Sequence, residues 1–538
     1  MRTSLPRSVA VIAAICVLAI SSVASAYNAR PKLVVVIVVD QLRGDLLDRY
    51  HDQFTEGGFR LLMDRGAYFS NCYYQYANTR TAPGHATIGT GAYTLGHGIL
   101  SNEYWDLEQK KVRTTTEDSR FKTIGGDRQV GGSSPRHLMA TTLADELKLG
   151  TAGKSRVYGV GLKDRSAVLP VGFTADGAFW IDRANGQWVT STYYMQQPPA
   201  WLVEFNSGKR ADKYLNLDWK DTNGTVVGST RPKQKNGKPV DYYYNVGATP
   251  FANDYTIEFV HELVEREKLG EGSNTDFLSV SFSAPDILGH DVGPDAPEHR
   301  AMIMALDRQL AGLFSYLARR IGYANLVIAL TADHGVSTQP EHANSLRMPA
   351  RNVKSEKPAV QLNAALSKSL GKTADYVPFL SYPLAYLNPE AFAALNMKEA
   401  EAEKAVGEAL VQLGMRSYVT KTQLATGDVP NSVFRTKYLN SYSPFGGWYV
   451  MALPSPFFVS HDPKGTDHSM PYSYDTHVPL GFYGLAFRPG VYRSAAEPVD
   501  LAVTLSSLLG VNAPSSAQGR VLTEALAPVP AQQQEATR

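Results

Sequence analysis

The stretch KLVVVIVVD, residues 32–40, decides the fold of this chain. Its unbroken run of Leu, Val and Ile is typical of a strand that is buried on both faces, as in the centre of a parallel sheet. Three more apolar runs follow, SRVYGVGL at 155–162, DFLSVSFS at 276–283 and NLVIALT at 325–331. Helical patterns lie between them. Strands that alternate with helices predict an α/β fold, in which a mostly parallel central sheet lies between helical layers in an α/β/α sandwich.

Two helices are predicted in the intervening stretches, over residues 135–149 and 296–320. The first lies between a Ser-Pro pair and a glycine, which are common start and stop signals. The second follows Asp295, with Glu298 three residues later, and this spacing predicts a capping box. Apolar residues then recur at helical spacing along 296–320, as expected for a helix that packs on a sheet.

Two stretches interrupt the alternation of strands and helices. Residues 180–250 are rich in Trp, Tyr, Gly and Asn, and residues 373–460 contain a polar helical pattern followed by a run of Pro, Gly and aromatic residues. We interpret both stretches as subdomains inserted into one domain that spans residues 27–525. The tail, residues 526–538, is polar and is expected to be flexible.

The N-terminus has the pattern of a signal peptide. Arg2 and Arg7 precede a short apolar run, and small residues end at Ala26. An uncleaved anchor helix is the alternative, but the apolar run is short for a membrane span. We expect residues 1–26 to be removed from a periplasmic or secreted protein, which keeps only Cys72 and therefore forms no internal disulfide.

The composition of the chain indicates which partners to expect. The 538 residues carry a formal net charge of +2, which gives no sign of a nucleic-acid-binding surface. After the N-terminal run, no segment is apolar enough to predict a membrane span. The sequence predicts no oligomeric state.

Aspartates and histidines stand near the carboxyl ends of the predicted strands, where open α/β sheets form their sites. These candidate metal ligands are Asp40, Asp286, His290, Asp333, His334 and His477. One helical turn would bring Asp286 and His290 onto one face, and Gly335 would let the backbone turn so that the preceding Asp-His pair reaches one centre. Each residue alone has a structural alternative, as a cap or a surface pair. Together, three carboxylates and three imidazoles without thiolates suit zinc, and six ligands are enough for two ions.

The segment NTRTAPGHATIGTG, residues 78–91, offers the hydroxyls of Thr79, Thr81 and Thr87. Thr81 precedes Ala-Pro-Gly, which predicts a helix with the hydroxyl at its N-terminus. Free N–H groups and the helix dipole would favour a phosphate group there. The alternative is that Thr81 is a plain N-cap. A neighbouring metal ion would lower the pKa of the hydroxyl and make it a nucleophile.

The segment GLKDR, residues 161–165, brings two cations to the end of a predicted strand. If the segment is extended, Lys163 and Arg165 point to one side and Asp164 points to the other. Two cations that face the metal ligands would bind the dianion of a phosphate monoester, which carries one more charge than a diester. The alternative is a solvated strand end paired with nearby acids.

Seven motifs occur in order between residues 33 and 485: the strand-end Asp40, TAPGH, HGILSNEYWD, GLKDR, PDILGHD, ADHG and YDTHVPL. As an ordered set they resemble the alkaline phosphatase superfamily, in its type I phosphodiesterase/nucleotide pyrophosphatase branch. They look most similar to the bacterial phosphate-irrepressible alkaline phosphatases with a threonine nucleophile. The resemblance implies an alkaline phosphatase-like fold and an exported two-zinc enzyme, which hydrolyses small-molecule phosphate monoesters through a phosphothreonine intermediate.

The resemblance also implies a role for each candidate residue. One zinc ion would be held by Asp40, Thr81, Asp333 and His334. The other would be held by Asp286, His290 and His477. The phosphoryl group would be bound by Asn102, Lys163 and Arg165. His85 and His97 are expected to be structural, and His468 is expected to lie behind the ligands and support them.

Other functions remain open at this point. A phosphodiesterase or nucleotide pyrophosphatase would use the same metal site, but Lys163 and Arg165 argue against it. A noncatalytic envelope protein would be indicated by the loss of a ligand or of the nucleophile, and none is lost. A sulfatase is disfavoured because TAPGH lacks the Cys/Ser-x-Pro-x-Arg signature. The sequence does not indicate the natural substrate.

Overall fold

The structure is a computed structural model that describes residues 30–235, 238–352, 358–460 and 465–527. The predicted signal peptide lies outside these residues, and so does the predicted flexible tail from residue 528 onward. Within the described ranges, no helix combines the length and the apolar character needed to cross a bilayer.

An eleven-stranded sheet forms the centre of the fold. Its strands, in chain order, are β1 Leu33–Val39, β2 Ala67–Phe69, β3 Glu117–Ile124, β4 Gly131–Ser133, β5 Val157–Gly161, β6 Gly177–Ile181, β7 Trp188–Ser191, β8 Asp276–Phe282, β9 Leu326–Thr331, β10 Leu480–Tyr483 and β11 Gly490–Tyr492. Their order across the sheet is β11-β2-β10-β9-β1-β8-β5-β6-β7-β3-β4.

The four predicted strands are neighbours in the middle of this sheet. They are β9, β1, β8 and β5, they run parallel, and β6 continues the parallel part. Antiparallel pairs flank them, β9 with β10 on one side and β6 with β7 on the other. Every residue of β1 is buried, and because successive side chains point to opposite faces, both faces of the sheet are covered. The predicted α/β/α fold with a mostly parallel centre is confirmed.

Helices of the described residues are numbered in chain order. They are α1 Asp45–Tyr50, α2 Phe59–Arg65, α3 Thr81–Thr90, α4 Thr94–His97, α5 Leu143–Gly150, α6 Asp164–Val168, α7 Ala200–Ser207, α8 Tyr242–Gly247, α9 Pro250–Arg266, α10 Ala284–Val292, α11 Pro297–Ile321, α12 Pro340–Ser345, α13 Pro358–Leu370, α14 Pro389–Ala393, α15 Glu399–Gln412, α16 Lys421–Thr426, α17 Arg435–Leu439, α18 Ser473–Thr476 and α19 Val499–Leu509. Helices α9, α10 and α11 pack against one another, and α3, α5 and α19 form a second group.

The two predicted helices differ from expectation at their starts. The first is α5, which begins at Leu143 rather than at residue 135. Its capping box is Thr142 with Asp145: the Thr142 hydroxyl accepts from Asp145 N–H, and the Asp145 carboxylate accepts from Thr142 N–H. The second is α11, whose bounds agree with the prediction to within one residue, but the Asp295 carboxylate does not cap its start. That carboxylate pairs with Arg49 at 2.8 Å instead.

A second hydrophobic core is built mainly from residues between 362 and 474. It surrounds a four-stranded antiparallel sheet, whose order is Phe379–Ser381, Leu384–Tyr386, Tyr449–Leu453 and Ser417–Thr420. This core overlaps the stretch 373–460 that we interpreted as an insertion. In the other stretch, 180–250, β7 extends the main sheet. We keep the division into one domain with two insertions as a proposal.

Short elements complete the described structure. Two-stranded ladders pair Glu103–Asp106 with Lys111–Thr114, Asp218–Lys220 with Val226–Ser229, Gln234–Lys235 with Lys238–Pro239, and Arg351–Asn352 with Phe458–Val459. Single 3₁₀ turns are His51–Gln53, Arg210–Tyr214, Tyr323–Asn325 and Thr523–Ala525.

Candidate active site

The candidate site lies at the carboxyl edge of the parallel strands. Asp40 follows β1 directly, Asp286 and His290 lie on α10 just after β8, and Asp333 and His334 follow β9. The three strands run in register side by side, so their ends lie at one edge of the sheet. These five predicted ligands are therefore brought together, as the parallel arrangement requires.

Asp40, Asp333 and His334 form a first cluster, which is fully buried. His334 Nε2 lies 3.5 Å from Asp40 Oδ1 and 3.6 Å from Asp333 Oδ2. Among the described residues, none of these three atoms has a hydrogen-bond partner. His334 Nδ1 donates to Gly335 O at 2.9 Å, so Nε2 carries the lone pair. Burial and the neighbouring Asp40 carboxylate raise the pKa of Asp333 well above its ordinary value. Two facing carboxylates and an imidazole lone pair fit a cation.

Asp286, His290 and His468 form a second cluster. Asp286 Oδ1 lies 3.2 Å from His290 Nε2 and 3.8 Å from His468 Nε2. Each ring donates its Nδ1–H to a backbone carbonyl, His290 to Thr466 O at 3.1 Å and His468 to Thr79 O at 2.6 Å. Both rings therefore turn Nε2 toward the carboxylate, which is the arrangement that orients histidine ligands of a metal.

The two clusters adjoin. Ligand atoms of Asp40, Asp286 and His334 lie within 4.8 Å of one another, so Asp286 borders both groups. Lys163 Nζ also connects them, because it donates to Asp40 Oδ2 at 2.5 Å and to Asp286 Oδ2 at 2.6 Å. Burial opposes a charged ammonium, but the two carboxylates raise the pKa of Lys163 above its ordinary value.

His477 is not part of either cluster, and the prediction that it is a metal ligand is wrong. Its Nε2–H donates to Ser70 O at 3.1 Å, and its ring stacks on Tyr73 with centroids 4.5 Å apart. An isolated antiparallel bridge pairs the backbones of Tyr73 and His477, three residues before β10, and holds the His477 ring next to Tyr73. His468, which we expected to lie behind the ligands, is the third member of the second cluster instead. It sits in a loop, where no strand end signals its role.

Thr81 begins α3, as predicted, and is almost fully buried. Its Oγ1 lies 3.4 Å from Lys163 Nζ. Not all of the expected free N–H groups are available: Ala82 N–H donates to Asn102 Oδ1 at 2.8 Å, Gly84 N–H donates to Arg80 O at 2.9 Å, and Pro83 has no N–H. This bond fixes the Asn102 amide. Since its oxygen is the acceptor, its NH₂ group remains as a donor at the site.

The other two threonines of the segment are buried with partners elsewhere. Thr79 Oγ1 donates to Met470 O at 3.1 Å, and Thr87 Oγ1 lies 3.2 Å from His97 Nε2. Of the three hydroxyls, that of Thr81 is the one that lines the site cavity among the described residues.

Two glycines allow close approach of backbones to this site. A Cβ on Gly84 would overlap Asp333 O, so α3 can pack on the Asp333 backbone only with glycine there. A Cβ on Gly335 would overlap Tyr474 O. We expected Gly335 to supply an unusual turn, but its φ is not in the left-handed region, and the close carbonyl is the physical reason for glycine.

Lys163 and Arg165 both line the cavity, but the segment between them is not extended. The strand β5 ends at Gly161, and α6 begins at Asp164. The Asp164 carboxylate accepts from two hydroxyls, Thr116 Oγ1 at 2.7 Å and Ser133 Oγ at 2.8 Å, and from Arg165 N–H at 2.8 Å. Among the described residues, the buried Arg165 Nε has no hydrogen-bond partner. Arg165 is therefore available for an anion.

The site opens into a cavity of about 340 Å³ that includes residues the sequence did not indicate. Arg183, Tyr243 and Tyr244 line it from the stretch 180–250. The Arg183 guanidinium lies 4.4 Å from the Tyr243 ring centroid and 5.1 Å from that of Tyr244. Arg183 stands two residues after β6, as Lys163 stands two residues after β5. This repeated spacing after parallel strands was the available signal.

The chain superposes on the crystal structure of an alkaline phosphatase at 30% sequence identity, and its sheet has a parallel centre with carboxylate and imidazole clusters at the carboxyl ends of the strands. The protein is therefore placed in the alkaline phosphatase superfamily. The sequence profile described as type I phosphodiesterase / nucleotide pyrophosphatase matches residues 34–437. Because this match covers most of the chain, the protein belongs to that family.

Individual relatives agree over nearly their whole lengths. The chain is 32% identical to a "Calcium-transporting ATPase" of Myroides odoratus, over 97% of this chain and 99% of that one. It is 32% identical to alkaline phosphatase PhoV of Synechococcus elongatus, over 93% of each chain. It is 31% identical to alkaline phosphatase PafA of Elizabethkingia meningoseptica, over 92% of this chain and 95% of that one. The crystal structure of wild-type PafA superposes with a TM-score of 0.84 at 30% identity, covering 93% and 99% of the two chains.

Proposed function

We propose that this protein is an exported alkaline phosphatase that hydrolyses small-molecule phosphate monoesters, with two bound zinc ions and a phosphothreonine on Thr81. One observation carries the proposal. Three buried atoms, Asp40 Oδ1, Asp333 Oδ2 and His334 Nε2, converge without hydrogen-bond partners among the described residues. Lys163 Nζ links this cluster to the nucleophile, because it lies 2.5 Å from Asp40 Oδ2 and 3.4 Å from Thr81 Oγ1. Buried polar atoms are normally paired, so this cluster is suited to a cation next to a nucleophile. The names of two similar proteins, PhoV and PafA, support the same activity.

The ligands divide into two sets, which correspond to the two clusters. The first set is Asp40, Thr81, Asp333 and His334. The second set is Asp286, His290 and His468. Carboxylate oxygens and imidazole nitrogens without thiolates suit zinc. When bound, two such ions would polarise the phosphoryl group and favour the deprotonated forms of hydroxyl and water.

Thr81 is the proposed nucleophile. Its hydroxyl loses its proton to solvent, Oγ1 attacks phosphorus, the bond to the alcohol oxygen breaks, and the alcohol leaves with a proton from solvent. Water then attacks the phosphothreonine, the bond to Thr81 Oγ1 breaks, and inorganic phosphate is released. His85 helps to hold the backbone of Thr81 in place, because its Nδ1–H donates to Thr81 O at 2.8 Å within α3. Burial lowers the pKa of His85 to about 4, so the ring stays neutral.

Asn102, Lys163 and Arg165 are the proposed ligands of the phosphoryl oxygens. Asn102 and Arg165 line the cavity and have N–H donors that are available to a substrate. Lys163, in contrast, already donates to two carboxylates. Arg165 is therefore the cation best suited to recognise the additional negative oxygen of a monoester. A phosphodiesterase remains the second candidate, because the family description includes that activity.

One experiment separates the two candidates. The zinc-loaded protein is assayed with an aryl phosphate monoester and with the diester of the same aryl alcohol. The proposal expects a higher kcat/KM for the monoester. A higher value for the diester would replace it with the phosphodiesterase, and the absence of both activities in protein with two bound ions would favour a binding protein.

Export rests on the pattern of residues 1–26 alone. The test is N-terminal sequencing of the protein recovered from the periplasm or medium of a bacterial host that expresses the full chain. A mature chain that begins near Tyr27 is expected. A protein found only in the cytoplasm with Met1 intact would contradict export.

A further inference from the structure

Gln41 contacts a carboxylate in each of the two clusters. Its backbone N–H donates to Asp333 Oδ1 at 3.2 Å, and its side-chain Nε2 donates to Asp286 Oδ1 at 2.9 Å. It is also bonded covalently to Asp40. All four residues are buried, and the two contacts span 292 and 245 positions of the sequence. A single residue therefore connects all three carboxylates of the proposed metal site.

The backbone of Gln41 is in an uncommon conformation. Its φ is +67°, in the left-handed region that favours glycine and is disfavoured for residues with a Cβ. In this conformation the N–H of Gln41 donates to Asp333 and the side chain reaches Asp286. A glutamine is accommodated here because its contacts offset the unfavourable backbone conformation.

The carboxamide of Gln41 fits against α10. A Cβ on Gly289 would overlap Gln41 Oε1, so the side chain lies where the helix leaves room for it. Among the described residues, Oε1 itself accepts no hydrogen bond. The opposite orientation of the amide would bring Oε1 against the Asp286 carboxylate, so the donor Nε2 is the group that must face it.

We propose that Gln41 is a positioning residue that holds Asp286 and Asp333 at the separation that two metal ions require. The inference rests on the proposed two-metal function. Lys163 also contacts Asp286, but through a charge that competes with a cation for the carboxylate. Gln41 supplies a neutral donor, which fixes the Asp286 side chain without that competition. Without it, Asp286 would rotate more freely, and the second ion would bind more weakly.

The test variant is Gln41→Gly. Glycine suits the left-handed backbone, so the contact to Asp286 is lost without a backbone penalty. Metal affinity of the purified full chain is measured by competition with chelators of graded strength. The expected result is a loss of roughly 10- to 100-fold for the weaker-bound ion, as for other partners of metal ligands. The control is Gln309→Ala: this carboxamide donates to Asp254 Oδ1 at 2.7 Å, outside the clusters, and its loss should not change metal affinity.

A second variant tests the contact with α10. Gly289→Ala should displace the carboxamide and lower metal affinity in the wild-type background. In the Gln41→Gly background the same change should have little further effect, because the overlapping atom is gone. An equal loss in both backgrounds would mean that Gly289 acts through its neighbour His290, and would overturn the proposed contact.

The two proposals fail differently. Wild-type protein that binds no divalent ion would overturn the proposed function together with this inference. Wild-type protein with two ions, and a Gln41→Gly variant with unchanged affinity for both, would overturn the positioning role of Gln41 alone.

Discussion

Replacing Arg165 with alanine should harm the hydrolysis of monoesters far more than that of diesters. Arg165 lines the cavity next to Thr81 and Asn102, and its buried Nε has no partner among the described residues. A monoester presents one more negative oxygen than a diester. The guanidinium makes no hydrogen bond or ion pair among the described residues, so its removal should act through the substrate rather than through the fold.

The size of the effect follows from the kind of contact that is lost. A hydrogen bond to a charged group contributes about 1.5–3 kcal/mol, so Arg165→Ala should lower kcat/KM for monoesters about 10- to 150-fold. Lys163→Ala should behave differently. It leaves the Asp40 and Asp286 carboxylates without the ammonium that lies 2.5 and 2.6 Å away, so it should disturb both substrate classes and the stability of the protein.

The assay is kcat/KM for a matched aryl monoester and aryl diester, in zinc-loaded wild type and Arg165→Ala. Arg128→Ala is the control, because Arg128 is half-exposed and already paired with Asp182 at 2.9 Å. The preference for monoesters should fall by about tenfold or more in Arg165→Ala alone, since each 1.36 kcal/mol is tenfold. Equal losses of kcat/KM for both substrates would show that Arg165 does not distinguish the charge of a monoester from that of a diester.

Three further predictions concern the nucleophile and the metals. Thr81→Ala should abolish a phosphoenzyme that brief reaction and acid quench trap in the wild type; label found on Thr79 would identify a different nucleophile. Chelation should remove activity and added zinc should restore it, whereas full activity in protein shown to be metal-free would contradict the two-metal site. His468→Ala should lower zinc affinity strongly and His477→Ala only weakly, as measured by chelator competition. The reverse order would identify His477 as the ligand, as the sequence predicted.

The centre of the fold could be predicted from the sequence because the apolar composition of its strands is distinctive. A strand buried on both faces, such as Leu33–Val39, has almost no polar residues, and few other elements have that composition. The ends of parallel strands then come together by necessity, which is why Asp40, Asp333 and His334 were found without a structure. These residues follow the strands directly, so small errors in strand bounds did not matter.

Other features depend on contacts that no local pattern records. His468 is brought to its cluster by a loop and held by the carbonyl of Thr79, which is 389 residues away in the chain. The extended form predicted for Lys163–Arg165 was wrong, because a helix begins at Asp164, with only two residues between it and the end of the strand at Gly161. The helix start predicted at residue 135 was wrong, because Pro135 begins a turn that is closed by Leu138 N–H donating to Pro135 O at 2.8 Å, and the Thr142 cap starts the helix at Leu143.

The distances along the chain between the clustered residues bear on how the site is assembled. Asp333 meets Gln41 across 292 positions, and His468 meets Thr79 across 389. Contacts of such long range form late in folding, because closing large loops costs entropy before the contacts can offset it. A nascent chain that has not yet reached His468 lacks one proposed ligand of the second cluster. Full capture of the proposed ions would therefore follow the folding of nearly the entire polypeptide, and the bound ions would then stabilise only the completed native state.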